Sequence, residues 1–152
     1  MKLSKLSTTI LFSILIGFTG LSAKDITAYH KEVMGEVNFN KHGLAAIITK
    51  DGWVVINKKM KVLYVPYIYD NGPDYISEGL SRYVDKGKIG FVNIKGKVII
   101  PAAYDFVSPF EDGKAQFCNG CKSIQEGEHS YMDPKSGVWG TINKKGKVVG
   151  EK

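Results

Sequence analysis

The chain reads as an all-β protein, an antiparallel β-meander repeat array with about three strands in each unit of about 35 residues. Three observations predict this class. A strand-like pentamer recurs as Trp53-Val54-Val55-Ile56-Asn57, Ile89-Gly90-Phe91-Val92-Asn93 and Trp139-Gly140-Thr141-Ile142-Asn143. A lysine-rich turn follows each copy, centred on Met60, Gly96 and Gly146. After residue 23, no segment holds the helical hydrophobic period for the ~10 residues a helix needs. Recurrence at a fixed spacing marks repeat architectures, in which neighbouring units bury a core that none could bury alone.

The elements follow in chain order. Residues 1–23 have the plan of a secretory signal peptide: Lys2 and Lys5, an apolar run from Ile10 to Phe18, then small residues up to Ala23. The apolar run is shorter than the ~20 residues of a spanning helix. Residues 24–42 read as a lead-in or degenerate unit, in which Thr27 to Val37 suits either a helical turn or a worn opening strand. Residues 43–152 divide into units 43–78, 79–112 and 113–152, the last with an insertion at about 118–137. Gly43, Gly79 and Gly113 start the units.

Within a unit, strands are expected at 44–50, 80–85 and 114–117, then over the recurrent pentamer, then at 62–65 and 98–100. Pro66 and Pro101 should end the third strands, because proline cannot donate to a ladder. Gly96 and Gly146 occupy turn positions that call for a positive φ, so Met60 at the same place predicts a strained or different turn. Asn57, Asn93 and Asn143 read as side-chain caps of these turns. Trp53, Ile89 and Trp139 share one packing slot, and Ile56, Val92 and Ile142 another. Tyr69 and Tyr104 share a third, each three residues after its proline.

These residues resemble the WG-repeat family, also known as KWG repeats. Trp139-Gly140-Thr141-Ile142-Asn143-Lys144-Lys145-Gly146 carries the signature best. Val98-Ile99-Ile100-Pro101-Ala102-Ala103-Tyr104-Asp105 and Phe110-Glu111-Asp112-Gly113 match its second half, while Ser77-Glu78-Gly79-Leu80 and the stretch from Phe39 to Ala45 match the junctions. The chain departs from the pattern at Val54, where the family has Gly, and at Ile89, where it has Trp. The resemblance implies a β-rich repeat module that takes part in protein–protein interaction, and it carries over no catalytic residue.

Composition narrows the function classes. The net charge is +6, falling to about +4 once the leader with Lys2 and Lys5 is gone. The lysines are spread over many turns, where they read as solvated tips. No block of like charge resembles a nucleic-acid arm. The sequence has no Gly-x-Ser-x-Gly elbow, no His-Glu-x-x-His and no phosphate-cradling loop, so a non-enzymatic protein with no cofactor is expected.

The cysteines, Cys118 and Cys121, interrupt the third unit. In an exported chain a close pair reads as a disulfide. Other readings stay open: a redox pair, a metal site with His129 and one of Glu126, Glu128 or Asp133, or free thiols. Tyr67, Tyr75, Lys122 and His129 are the candidate partner contacts, because rigid tyrosines in Asn/Gly/Asp-rich loops suit binding surfaces. The expectation is thus an exported, periplasmic or secreted β-repeat module. It binds a protein or an envelope component and has no stable membrane span after cleavage. Open edge strands make a homodimer an option. The alternative is a metal- or redox-linked envelope protein using the cysteine pair.

Overall fold

The computed structural model describes residues 25–151. The proposed leader, residues 1–23, lies outside them. The described chain opens with a short helix, α1 (Ala28–Met34), followed by fourteen strands. Of the two readings of the lead-in, the helical one is observed. The Asp25 carboxylate organises its start by accepting from Thr27 N at 2.9 Å and Thr27 Oγ1 at 2.7 Å.

Unit one contributes β1 (Leu44–Thr49), β2 (Gly52–Asn57) and β3 (Val62–Pro66), then a small hairpin of β4 (Ile68–Tyr69) and β5 (Gly72–Pro73). Unit two contributes β6 (Leu80–Asp85), β7 (Lys88–Asn93), β8 (Val98–Tyr104) and the short β9 (Phe106–Val107). Unit three contributes β10 (Lys114–Asn119), a separate hairpin of β11 (Ser123–Glu126) and β12 (His129–Met132), then β13 (Val138–Asn143) and β14 (Val148–Glu151). The sheets are antiparallel, one running β1-β2-β3-β6-β7-β8 and another β14-β13-β10-β9.

The opening hairpins have one register: Leu44 pairs with Asn57, Leu80 with Asn93 and Lys114 with Asn143. The third strand joins each unit to the next. β3 pairs with β2 through Tyr64 and with β6 through Val65 and Pro66. β8 pairs with β7, and its continuation β9 pairs with β10. The array is therefore one ribbon whose third strands change partners midway.

The Asn turns are alike in all three units. Asn57, Asn93 and Asn143 each accept two backbone N–H bonds on Oδ1, from Lys59 and Lys61, Lys95 and Lys97, and Lys145 and Lys147, at 2.9–3.1 Å. Backbone bonds from Met60, Gly96 and Gly146 N close the same loops at 2.8–2.9 Å. Met60 thus adopts the glycine conformation, φ 59° beside 74° and 76°, and the turn is strained rather than replaced. Asn40 locks the entry to β1 with the same chemistry, accepting from His42 N and Leu44 N.

Two expectations are corrected here. Pro101 does not end its strand, for β8 runs on to Tyr104. Its side chain is exposed, and the ladder shifts register between Ile89 and Phe91, as at a bulge. Gly90 makes room for that shift: a Cβ there would collide with Ile100 O, and would lie 2.6 Å from Ala102 N and 2.7 Å from Pro101 C. Nor do Tyr69 and Tyr104 share a slot. Tyr104 is buried against Phe117, with ring centres 5.0 Å apart, whereas Tyr69 is exposed on β4.

The main core joins units two and three through Phe91, Ile100, Val107, Phe110, Phe117 and Ile142. A smaller core holds Ala45, Ile47 and Ile56 under Ile26, Val37 and Phe39, so the lead-in covers one face of unit one. His30 Nδ1 accepts from Ile48 N at 3.2 Å and occupies part of the outer edge of β1. Ile56, Val92 and Ile142 occupy their shared slot fully buried. Trp53 and Trp139 are half-buried, against His30 and Phe106, and Trp139 Nε1 donates to Ser136 O at 2.9 Å.

Candidate functional site

The β11–β12 hairpin leaves the array as an arm. Its register runs from Ser123↔Met132 to Glu126↔His129, and among the described residues it forms a two-stranded sheet with no third strand. Most of its residues are exposed, Tyr131 among them. The insertion is shorter than 118–137, because Cys118 and Asn119 still pair with Trp139 and Val138 in the main sheet.

Ser136 ties the base of the arm to the scaffold. Its Oγ accepts from Lys122 N at 2.8 Å and donates to Asp133 O at 3.1 Å, while its carbonyl receives Trp139 Nε1. Asp133 N closes the base on Lys122 O at 2.8 Å. On the other side, Asp105 accepts from Gly120 N at 2.6 Å and from Lys88 Nζ. The Lys88 ammonium first, and then the Gly120 N–H, hold the Asp105 carboxyl below its ordinary range. The arm thus stands on a fixed base.

Cys118 and Cys121 lie at that base as free thiols, and the disulfide expected from their spacing is not formed. The backbone on each side of the pair is fixed by other parts of the unit. Cys118 is fully buried on β10 opposite Trp139, with Sγ donating to Ser136 O at 3.8 Å. Cys121 follows Gly120 at φ 70°, and its backbone N packs under Gly137, where a Cβ would meet it at 2.5 Å. Burial pushes the Cys118 thiol up to about 12, with the neighbouring Cys121 adding to the shift. A neutral thiol is a poor nucleophile and a poor metal ligand.

The metal set considered for this pair does not converge. His129 sits at the far end of the arm opposite Glu126, about four residues or ~13 Å along the strand from its base. Among the described residues, no three His, Cys, Asp or Glu side chains gather as a metal-holding group.

The four candidate contacts fall in two regions. Lys122 and His129 mark the base and tip of the arm, both exposed. Tyr75 is exposed at the first junction, edge-on to Tyr69 with ring centres 5.6 Å apart. Tyr67 is half-buried there, its ring 4.3 Å from the Arg82 guanidinium.

That guanidinium is a feature sequence reasoning missed. Arg82 is buried with 4% of its side chain exposed, and the Asp74 carboxylate with 1%. Nε and Nη2 each donate to Asp74 at 2.8 Å, and Nη1 donates to Val107 O at 3.1 Å. The strand alternation contained a signal, since Arg82 stands in phase with the core residue Leu80 and opposite Phe91. An arginine on an inward face needs a partner. The site is structural, joining units one and two.

Residues 89–122 match the family model described as WG containing repeat. This segment spans β7, β8, β9 and β10, and so covers the partner change of a third strand. No curated protein and no solved structure matches the chain.

Proposed function

We propose, for a chain that is a WG-repeat protein through its segment 89–122, that it serves as an exported, non-enzymatic module binding another protein or a cell-envelope component. One observation carries this reading: an arm of four-residue strands, self-paired and exposed, stands on a base fixed by Ser136 and Asp105. Its two free edges offer backbone donors and acceptors for strand addition. Its side chains, Tyr131, Lys122 and His129 among them, give that addition its selectivity.

Deleting 123–132 and joining Lys122 to Asp133 by a short turn tests the proposal, because those two residues already meet by a hydrogen bond. Crosslinking in the native envelope, followed by identification of the captured species, should recover a partner with the intact chain and lose it with the deletion. Retention of the same partner by a correctly folded deletion variant would remove the arm from the reading.

A further inference from the structure

The fold gathers lysines scattered along the sequence onto one rim. The 57–60 turn lies beside the entry to β1, since Leu44 pairs with Asn57 and a Cβ on Gly43 would sit 3.5 Å from the Lys58 side chain. The 93–96 turn comes next: a Cβ on Gly96 would lie 3.2 Å from both Leu44 and Leu63. Leu80 pairs with Asn93, which brings the 78–79 turn alongside. Lys144 Nζ stands 3.6 Å from Glu78 Oε2, so the 143–146 turn continues the row. Gly113 N donates to the same Glu78 carboxylate and adds the last junction turn.

Lys58, Lys59 and Lys61 stand exposed on the first Asn turn, and Lys95 and Lys97 on the second. Lys144, Lys145 and Lys147 stand exposed on the third, while Lys41 and Lys114 flank the strand entries. Against these ten lysines the rim carries three carboxylates, Glu78, Glu111 and Asp112. The rest of residues 25–151 holds seven cations and twelve carboxylates, so the two parts of the molecule have opposite sign. Apolar side chains reach solvent on the same turns, Met60 at 47% and Ile94 at 37% exposed.

We propose that this rim docks on an anionic lipid surface, with the lysines at headgroup phosphates and Met60 and Ile94 at the boundary with the acyl chains. The chemistry selects this partner on two counts. The rim's cations are all lysines, hydrated point charges suited to a diffuse negative field, and the one arginine is buried in an ion pair. Lysines interspersed with exposed apolar side chains are the pattern of interfacial binding. Each lysine close to such a surface strengthens attachment about fivefold. This surface is separate from the arm.

Sedimentation of the protein with vesicles provides the test. Vesicles of phosphatidylglycerol and phosphatidylcholine should bind it at low salt and release it as salt rises, while phosphatidylcholine alone should not bind it. The triple variant Lys59→Gln, Lys95→Gln, Lys145→Gln should weaken binding about a hundredfold. The triple variant Lys50→Gln, Lys86→Gln, Lys135→Gln has the same net charge but alters other turns, and should bind within about threefold of the parent. Met60→Ser with Ile94→Ser should also weaken vesicle binding, and deletion of 123–132 should leave it unchanged. Circular dichroism establishes that each variant is folded. Equal losses in the two triple variants, or no preference for phosphatidylglycerol, would overturn the proposal. So would competition by soluble dextran sulfate combined with indifference to the Met60 and Ile94 changes, which would assign the rim to a polyanion in solution.

Discussion

Units one and two begin with the same hairpin and part at a single residue. Their first two strands share a register, and both turn through an Asn-locked loop. The residue after the Trp/Ile slot is Val54 in one and Gly90 in the other. Gly90 lets the backbone at Pro101 lie over β7, so β8 runs on to Tyr104 and delivers that ring to the core. A branched side chain at Val54 closes the same approach. β3 then crosses from β2 to β6 between Tyr64 and Val65. The two junctions differ accordingly. The second is apolar, built on Val107 and Phe110, whereas the first is built around the buried Arg82–Asp74 pair under Tyr67. The comparison teaches that the space left by one missing Cβ sets the path of the next strand, and through it the chemistry of the junction.

Breaking the first junction should have the largest effect. Asp74→Ala leaves a buried guanidinium without its counter-ion and should cost about 3–5 kcal/mol in denaturant unfolding. Arg82→Met combined with Asp74→Leu should recover much of that loss, since the desolvation of both charges is then avoided. A double variant no more stable than Asp74→Ala would mean that the pair's neighbours, not its charges, hold the junction.

The divergence itself can be tested next. Gly90→Val should cost about 3 kcal/mol, because the obstructing atoms are backbone. The mirror change Val54→Gly should cost only about 1 kcal/mol, from added chain freedom and lost packing. Equal costs at the two sites would refute the account of the strand paths.

A smaller effect of opposite sign belongs to the turns. Met60→Gly should stabilise by about 1 kcal/mol, because it relieves a left-handed conformation in a turn that is otherwise the same. Gly96→Met should destabilise, for it adds that strain and also crowds Leu44 and Leu63.

At neutral pH titration of the unpaired thiols adds nothing to stability, and their effect emerges only in alkali. The buried Cys118 thiol keeps its proton up to about pH 12, whereas in the unfolded chain it loses it near its ordinary value of about 8.5–9. The folded state therefore binds more protons between those limits, and this group's contribution to stability is complete below about pH 9 and declines as pH rises towards 12. Tyr64 and Tyr104, both raised by burial, act in the same direction above their ordinary range near 10. Mass-resolved alkylation of the native protein at pH 8 should label Cys121 before Cys118. Labelling at equal rates would show that the base of the arm opens.

The fold was legible because its devices are local. Asn57, Asn93 and Asn143 lock their own turns, and β1, β6 and β10 each pair with the strand that follows a short turn or loop in the same unit. Spacing likewise pointed to an interruption in unit three. What it could not convey was direction: Cys118 and Cys121 are three residues apart, yet Ser136 and Gly137 hold them in place. Proline alignment misled for the same kind of reason. Pro66 pairs with Tyr83 of the next unit, whereas Pro101 lies over Gly90 of its own.

By itself the sequence determined a repeat of short antiparallel strands, its Asn-capped turns and the slots filled by Ile56, Val92 and Ile142, because these depend on chain-local geometry and on an alternation of period two. Only the tertiary structure decided the partner changes of β3 and of β8 with β9, the burial of Arg82 with Asp74 and the collection of ten lysines on one rim. Each of these depends on contacts between units, which are set by how successive units pack and not by the order of residues within any one of them.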